Sequence, residues 1–481
     1  MATTDGTKRV VREPVTRIEG HAKVTILLDQ EDRVRQARMH VVEFRGFERF
    51  IQGRPFWEVP VIVQRLCGIC PVSHHLAAAK AMDAIVGGEL LTPAAEKIRR
   101  LMHYGQMLQS HALHFFYLAS PDLLFGFESD PLTRNVVGVA GKYPELAKQG
   151  VLLRKYGQQI IKATAGKRIH GTGAVPGGVN KNLSIQERDE FLKEMDQILE
   201  WSRGALRLAR DYTLAHLEEL RGFASFDSNH LSLVRSDGAL DLYDGKLRAV
   251  DANGGRIFDQ VPPADYLAHI AEEVRPWSYM KFPFIRSLGP ENGWYRVGPL
   301  ARLKVCDRID TPEAEAARQE LVSANGGRIG SLTMAYHWAR MVELLHSAEK
   351  IQALLHDPDL QSTELLTKGE RRFEAVGLIE APRGTLFHHY RVDANDQVVM
   401  ANLIVSTTNN NEPINRAVAR VAEDHLSGRP EITEGMLNKI EVAIRAYDPC
   451  LSCATHALGR MPLVVELVDC QGNLLESRSR V

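Results

Sequence analysis

Two Cys-x-x-Cys pairs stand about 380 residues apart, Cys67-Gly-Ile-Cys70 and Cys450-Leu-Ser-Cys453. Four thiolates meeting in space make a site for a soft, thiophilic metal. A compact zinc module would bring its ligands together within a few tens of residues. A site assembled from both ends obliges the intervening chain to return on itself, so the metal chemistry and the whole fold constrain one another.

At 481 residues the chain can bury a large core, and a prior of about 150 residues per domain suggests roughly three domains. Closure of both ends on one site argues for fewer. Lys+Arg 59 against Asp+Glu 60 gives a net charge of −1, which leaves no electrostatic footprint for nucleic acid or an anionic membrane. The opening Met-Ala-Thr-Thr-Asp-Gly-Thr-Lys-Arg contains no apolar leader. No run reaches the roughly 18 apolar residues of a membrane span. Of the six cysteines four are in the pairs, a metal pattern rather than a disulfide framework. Isolated Cys306 reads as a buried apolar thiol.

Val24, Ile26 and Leu28 alternate, and a second run from Val34 to Val42 follows the polar Asp29–Asp32 turn, which predicts an antiparallel hairpin. Helices dominate thereafter. Thr92-Pro93 opens one with a stripe through Ile98, Leu101, Met102, Leu108, Ala112 and Phe116, and the Ser184-x-x-Glu187 capping box opens another. A third is expected from Ile329 to His356, after Gly326-Gly327, and a last from Thr433 to Arg445. Residues 223–310, punctuated by proline and glycine, read as a peripheral β-containing insertion. The fold class is therefore mainly α with peripheral β (α+β), a long-helix bundle with small antiparallel sheets and a metal site joining the two ends. Gly171-Thr-Gly-Ala-Val-Pro-Gly-Gly178, with His170 beside it, lacks the Lys-Ser/Thr of a nucleotide loop and reads as a pocket-lining turn.

Cys70-Pro71 predicts an N-cap with proline at the first helical position, where orphan amides and the helix dipole favour a thiolate. His74 lies one turn on. A lone pair of this kind reads equally as a redox dithiol or half a zinc knuckle, and two pairs also suit a structural four-cysteine zinc scaffold. Such a scaffold would not require the charged residues gathered around both pairs.

Those residues are Pro14-Val-Thr-Arg-Ile-Glu-Gly-His21, Phe44-Arg-Gly-Phe-Glu48, Arg65-Leu-Cys-Gly-Ile-Cys-Pro-Val-Ser-His74, Ala381-Pro-Arg-Gly384 and the stretch from Asp448 to His456. Together, and in this order, they resemble the large (catalytic) subunit of nickel-iron hydrogenases, most strongly the soluble NAD-reducing group. The resemblance implies reversible oxidation of H2 at nickel held by Cys67, Cys70, Cys450 and Cys453, with Cys70 and Cys453 also bridging to an iron that carries carbon monoxide and cyanide. It implies that Cys450 takes the proton and Glu19 carries it onward. Arg383 matches an arginine poised over the metals, Asp448 and Asp122 match the acidic residues that orient it, and Ser406, in Val-Ser-Thr rather than Pro-Ser-Thr, matches a serine bonded to cyanide. His74 would tune a cysteine sulfur. Glu48 and His456 match ligands of a magnesium ion, with a main-chain carbonyl near Asn402.

No cluster beyond the two pairs could ligate an iron-sulfur centre, and the resemblance implies that NAD and FMN are bound elsewhere too. The resemblance places these on partners, a small subunit with iron-sulfur clusters and a flavin-containing diaphorase, and favours the cytoplasm. NADP, a deazaflavin or a hydrogen-sensing relay are the neighbouring alternatives. In the family the segment after the histidine is cut off by a dedicated endopeptidase once insertion factors have delivered metal. That makes 1–456 the hydrogenase domain and 457–481, a short hairpin with Cys470, a removable extension.

Overall fold

The computed structural model describes residues 8–326 and 332–455, with the backbone of 463–468 and 474–480. It opens on an antiparallel sheet of β1 (Lys8–Arg12), β2 (Ala22–Leu28) and β3 (Val34–Val41), with β2 central. The alternation that predicts the hairpin is the one that buries Val24, Ile26 and Leu28. Strand β1 escapes the pattern because its residues stay largely in solvent and only its backbone pairs with β2.

Helix α1 (Pro71–Ile85) is almost wholly buried and rich in alanine, which lets neighbouring backbone approach closely. Helix α2 (Pro93–Leu113) begins where the Thr92 hydroxyl accepts the Ala95 N–H at 3.2 Å. It runs into one π-helical segment, His114–Ala119, so Phe116 lies beyond the regular helix that the stripe suggests. Helix α3 (Pro144–Ala165) packs beside it, and α4 (Ile185–Ala215), with its capping box formed, packs on the later helix Ala335–Leu355. A Cβ on Gly157 of α3 would lie 2.5 Å from the Gly105 carbonyl of α2, so the bare backbones set this crossing.

Strands β4 (Asn229–Val234), β5 (Lys246–Val250) and β6 (Arg256–Val261) pair antiparallel within the expected insertion. Helix α5 (Ala335–Leu355) starts later than glycine punctuation suggests: Leu332–Met334 form a turn, and residues 327–331 lie outside the described residues. A third sheet, the antiparallel β7 (Glu374–Ala381), β8 (Gly384–Val392) and β9 (Val398–Ile404), packs on α1. Leu378, Phe387 and Ile404 of this sheet share a core with Leu231, Leu233 and Leu247, which ties the insertion to the body. Helices α6 (Asn411–Leu426) and α7 (Glu434–Ala446) complete the bundle, α7 capped by Thr433. Strands β10 (Leu463–Val468) and β11 (Leu474–Arg480) pair as the expected hairpin. The architecture is thus a helical bundle edged by small sheets. Among the described residues no helix is long and apolar enough to cross a membrane.

Candidate metal centre

Cys67 leaves the turn Val63–Leu66 in an extended conformation, and Cys70 is the N-cap of α1. The Cys67 Sγ accepts the N–H groups of Ile69 (3.1 Å) and Cys70 (3.3 Å). The second pair follows α7. Asp448 takes a left-handed backbone (φ 53°) that turns the chain inward, and the Cys450 N–H donates to Thr407 Oγ1 at 2.9 Å. The sulfurs stand 3.3 Å apart for Cys67–Cys450, 3.6 Å for Cys70–Cys453 and 2.9 Å for Cys450–Cys453. All four are buried, and their atoms lie within 4.8 Å of one another.

A metal about 2.3 Å from each of four tetrahedral thiolates would hold sulfurs about 3.8 Å apart, so the cage is near the required size. Its protonation balance is uneven. Hydrogen bonds from Cys450, Cys453 and Cys67 hold the Cys70 thiol well below its usual range, whereas burial drives Cys450 and Cys453 up. A bound cation would let all four ionise.

Glu19 enters from the N-terminal sheet and bridges to the second pair. Its carbonyl accepts the Leu451 N–H (3.1 Å) and its Oε2 accepts the Ser452 N–H (3.0 Å). The same Oε2 lies 3.1 Å from Cys450 Sγ, in line to take the thiol proton. This approach needs Gly20: at φ 81° a Cβ there would lie 2.8 Å from Leu451 Cβ and 3.0 Å from the Ser452 nitrogen.

Arg383 occupies the two-residue turn between β7 and β8. Its Nε donates to the Asp448 carbonyl (2.6 Å), Nη2 to Asp448 Oδ1 (3.1 Å) and Nη1 to Ser110 Oγ (3.5 Å). Burial opposes its charge, but Asp448 and the thiolates of Cys450, Cys70 and Cys67 raise its pKa well above normal. Burial pushes the Asp448 carboxyl up to about 6 against the pull of Arg383 and Arg340. Beside Cys70 and Cys453 lies a cavity walled by Pro382, Arg383, Val405 and Ser406. The Ser406 hydroxyl donates to the Gly384 carbonyl at 2.7 Å.

Residues 45–125 and 250–456 match the family model described as nickel-dependent hydrogenase, and residues 9–44 match one described as HoxL-like. The chain is 50% identical to the NAD-reducing hydrogenase HoxS subunit beta of Cupriavidus necator, over 98% of this chain and 100% of that protein. The chain belongs to the nickel-dependent hydrogenases. It is 42% identical to a subunit of the F420-non-reducing hydrogenase of Methanothermobacter thermautotrophicus, over 97% of this chain and 99% of that one. Its fold superposes on the crystal structure of an NAD+-reducing NiFe-hydrogenase in the H2-reduced state with a TM-score of 0.92, at 56% identity, covering 95% of this chain and 100% of the other. This hydrogenase chain is accordingly the catalytic one. Four thiolates alone would serve zinc as well; the family decides for nickel and iron.

Not every expected residue of the hydrogenase centre falls where the motifs suggest. Asp122 does not orient Arg383. Its carboxylate is held by Arg17 (2.5 Å), Arg445 (3.0 Å) and Asn438 (3.2 Å), and the group on α2 that faces Arg383 is Ser110. Asp122 lies twelve residues beyond Ser110, about 18 Å along a helix axis, too far to share its guanidinium partner.

His74 lies against the sulfurs. It contributes a hydrogen bond that lowers the Cys70 pKa, its Nδ1 meets His388 Nε2 at 3.1 Å, and His388 Nδ1 meets the Tyr390 hydroxyl at 2.5 Å. Glu48 is buried beside β9, its Oε1 accepting the Leu403 N–H (2.9 Å) and the Lys281 ammonium (3.0 Å). Lys281 also reaches Glu272 and the Asn402 side chain. His456 and Cys470 lie outside the described residues. Thr407, Ser110, His388, Tyr390 and Lys281 are the residues that motif reading misses. Only Thr407, next to Ser406 in its motif, carries any signal.

Proposed function

We propose that this chain splits H2 reversibly, H2 giving two protons and two electrons, and delivers the electrons through partner subunits to NAD. The observation that carries the reading is the 3.1 Å contact between Cys450 Sγ and Glu19 Oε2 inside a four-thiol cage. Nickel and iron, when bound, supply Lewis acidity and electron-accepting capacity at the sulfurs. Cys67 and Cys450 would hold nickel and Cys70 and Cys453 both nickel and iron, and Pro382, Arg383 and Ser406 would line the space beside the iron for its carbon monoxide and cyanide ligands. Arg383 offsets the negative charge and keeps its proton, since a guanidinium resists deprotonation. The Cys450 thiol passes its proton to Glu19, which sits within reach and is half-buried.

Glu48 is the magnesium-binding carboxylate in this reading, with His456 as its partner. The two carboxylates Glu48 and Glu272 exceed the single ammonium of Lys281, so the pocket still favours a cation. The HoxS relative, as subunit beta of an NAD-reducing enzyme, supports partner subunits; in this reading they are a small subunit with iron-sulfur clusters and a flavin-containing diaphorase, and the enzyme is cytoplasmic. The second relative is named only as not reducing F420, and the higher identity to the NAD-reducing protein favours NAD. The hydrogenase family match ends at residue 456, which supports 457–481 as an extension removed by an endopeptidase after metal-insertion factors have acted.

The test is an infrared spectrum of the anaerobically purified complex, with H2-dependent NAD reduction measured on the same sample. One metal carbonyl band with two cyanide bands, and NADH formation on H2, is the expected result. A blank spectrum from C-terminally processed protein containing only zinc refutes the reading. The expected bands with H2 oxidised by another acceptor but not NAD would refute only the acceptor.

A further inference from the structure

Arg17 adopts a left-handed backbone (φ 55°), a conformation that branched and long side chains rarely take unless their surroundings impose it. Its surroundings do. Its Nη2 donates to Asp122 Oδ1 at 2.5 Å and its Nη1 to the Leu118 carbonyl at 2.7 Å, in the π-helical segment that follows α2. Such a segment breaks the regular ladder of an α-helix, and π-turns concentrate at functional sites. Asp122 is 2% exposed, so its charge is committed to these partners.

The other oxygen of Asp122 accepts from Arg445 Nη1 at 3.0 Å. Arg445 in turn grips the segment before Glu19, Nε donating to the Thr16 carbonyl (3.0 Å) and Nη2 to Thr16 Oγ1 (2.9 Å). Thr16 Oγ1 and Arg12 Nε both donate to Glu441 on α7. Arg445 precedes Cys450 on the one strand of chain, and Thr16 and Arg17 precede Glu19 on the other. Asp122 is therefore one of the points at which the chain carrying the carboxylate and the chain carrying the thiol are fixed to one another, and the one that ties both Arg17 and Arg445 to the segment after α2.

We propose that Arg17 and Asp122 are positioning residues that hold Glu19 in register with Cys450 for proton transfer. This rests on the reading of Glu19 as the proton acceptor. Neither residue touches the sulfurs. They act by setting the backbone from which Glu19 projects, and Arg445 sets the matching end of α7.

The experiment uses the assembled holoenzyme carrying Asp122→Asn, Arg17→Gly or Glu19→Gln. Glycine adopts φ near +55° freely, so Arg17→Gly removes the guanidinium without adding backbone strain and carries the test where Asp122→Asn assembles poorly. Three quantities are read: nickel content, isotope exchange between H2 and D2O, and amide exchange of the peptides containing Leu451–Ser452 and α7. Wild-type nickel is expected, with isotope exchange reduced on the order of 10²-fold. Loss of protection should be confined to Leu451 and Ser452. Wild-type isotope exchange in Arg17→Gly, with Glu19→Gln impaired, overturns the positioning role alone. Wild-type exchange in Glu19→Gln overturns the relay reading and the positioning role with it. Loss of protection throughout α7 would mean that Arg17 and Asp122 serve folding only, which also overturns the proposal.

Discussion

Gly20→Ala tests the proton-acceptor geometry without altering any ionisable group. A methyl at this position would start 2.8 Å from Leu451 Cβ and 3.0 Å from the Ser452 nitrogen. Non-bonded carbons settle at about 3.5–4.0 Å, so the two segments must separate by roughly 0.7–1.2 Å. Most of that movement falls on the contact between Glu19 Oε2 and Cys450 Sγ, now 3.1 Å. The contact would open to about 4 Å, outside the roughly 2.6–3.2 Å reach of a proton acceptor. A misplacement of about 1 Å costs on the order of 10²-fold in rate. The left-handed alanine adds about 1–2 kcal/mol of destabilisation. Gly53→Ala separates the two effects, because Gly53 has nearly the same backbone (φ 80°) and nothing within 4 Å of its would-be Cβ. It should lose similar stability and no proton exchange. Denaturant unfolding and H2/D2O exchange on both variants give the comparison. Equal exchange in Gly20→Ala and wild type, with nickel loaded, would refute the assignment of Glu19 to the proton.

The remaining expectations concern the scaffold around the centre. Burial lowers His75, His111 and His346 from 6.5 to about 4. Depressed folded values mean that their stabilisation is complete above the unfolded value and is lost as pH falls from about 6.5 toward 4, so denaturant midpoints should drop between about pH 7 and 5; a flat profile would refute the buried neutral assignment. Arg302 is fully buried between Glu343 (2.6 Å at both nitrogens) and Glu380 (2.9 Å). Glu343→Gln should cost about 3–5 kcal/mol in unfolding free energy, and a loss below about 1 kcal/mol would show that Glu380 alone satisfies the guanidinium. Burial raises the Tyr390 pKa well above normal, so its hydroxyl keeps its proton for His388. Tyr390→Phe should cost about 1 kcal/mol and shift the metal carbonyl band through His74 and Cys70. An unshifted band with nickel retained would show that His74 keeps its orientation unaided.

The cysteines were legible because their chemistry demands one residue type at one spacing, and Cys70-Pro71 announced its own helix start. The capping box of α4 and the hairpin of β2 and β3 were legible because local rules and a one-sided face generate them. The sheet of β7, β8 and β9 was not. Strand β8 is buried at all but one position and β7 over its last five, so no polar alternation marks either. Arg383 was found by its motif, yet its place at the tip of that hairpin was hidden with the sheet. Asp122 shows the limit in the other direction: a motif position fixes where a carboxylate lies in the chain but not which of several buried guanidinium groups it meets. That choice is made by depth along the helix: Ser110 stands level with Arg383, and Asp122, twelve residues on, stands level with Arg445.

The groups around the sulfurs are carried at the ends of elements rather than along them. Cys70 caps α1, Arg383 turns between β7 and β8, Ser406 follows β9, and Asp448 follows α7. At an element's end the backbone is free to aim one side chain, while the element behind it stays packed and bears the load. Two of the left-handed non-glycine residues, Arg17 and Asp448, stand at such positions beside the centre. The same arrangement explains why the two halves of the site need a common anchor. Cys450 and Glu19 hang from different ends of the chain, and packing of α2 against α3 leaves their relative register undetermined. The buried carboxylate of Asp122, shared between Arg17 and Arg445, fixes it together with the bonds of Arg445 and Glu441 to Thr16 and of Glu19 to Leu451 and Ser452. Core substitutions that leave this contact intact should therefore lower stability well before they change proton exchange, and loss of the contact should reverse that order.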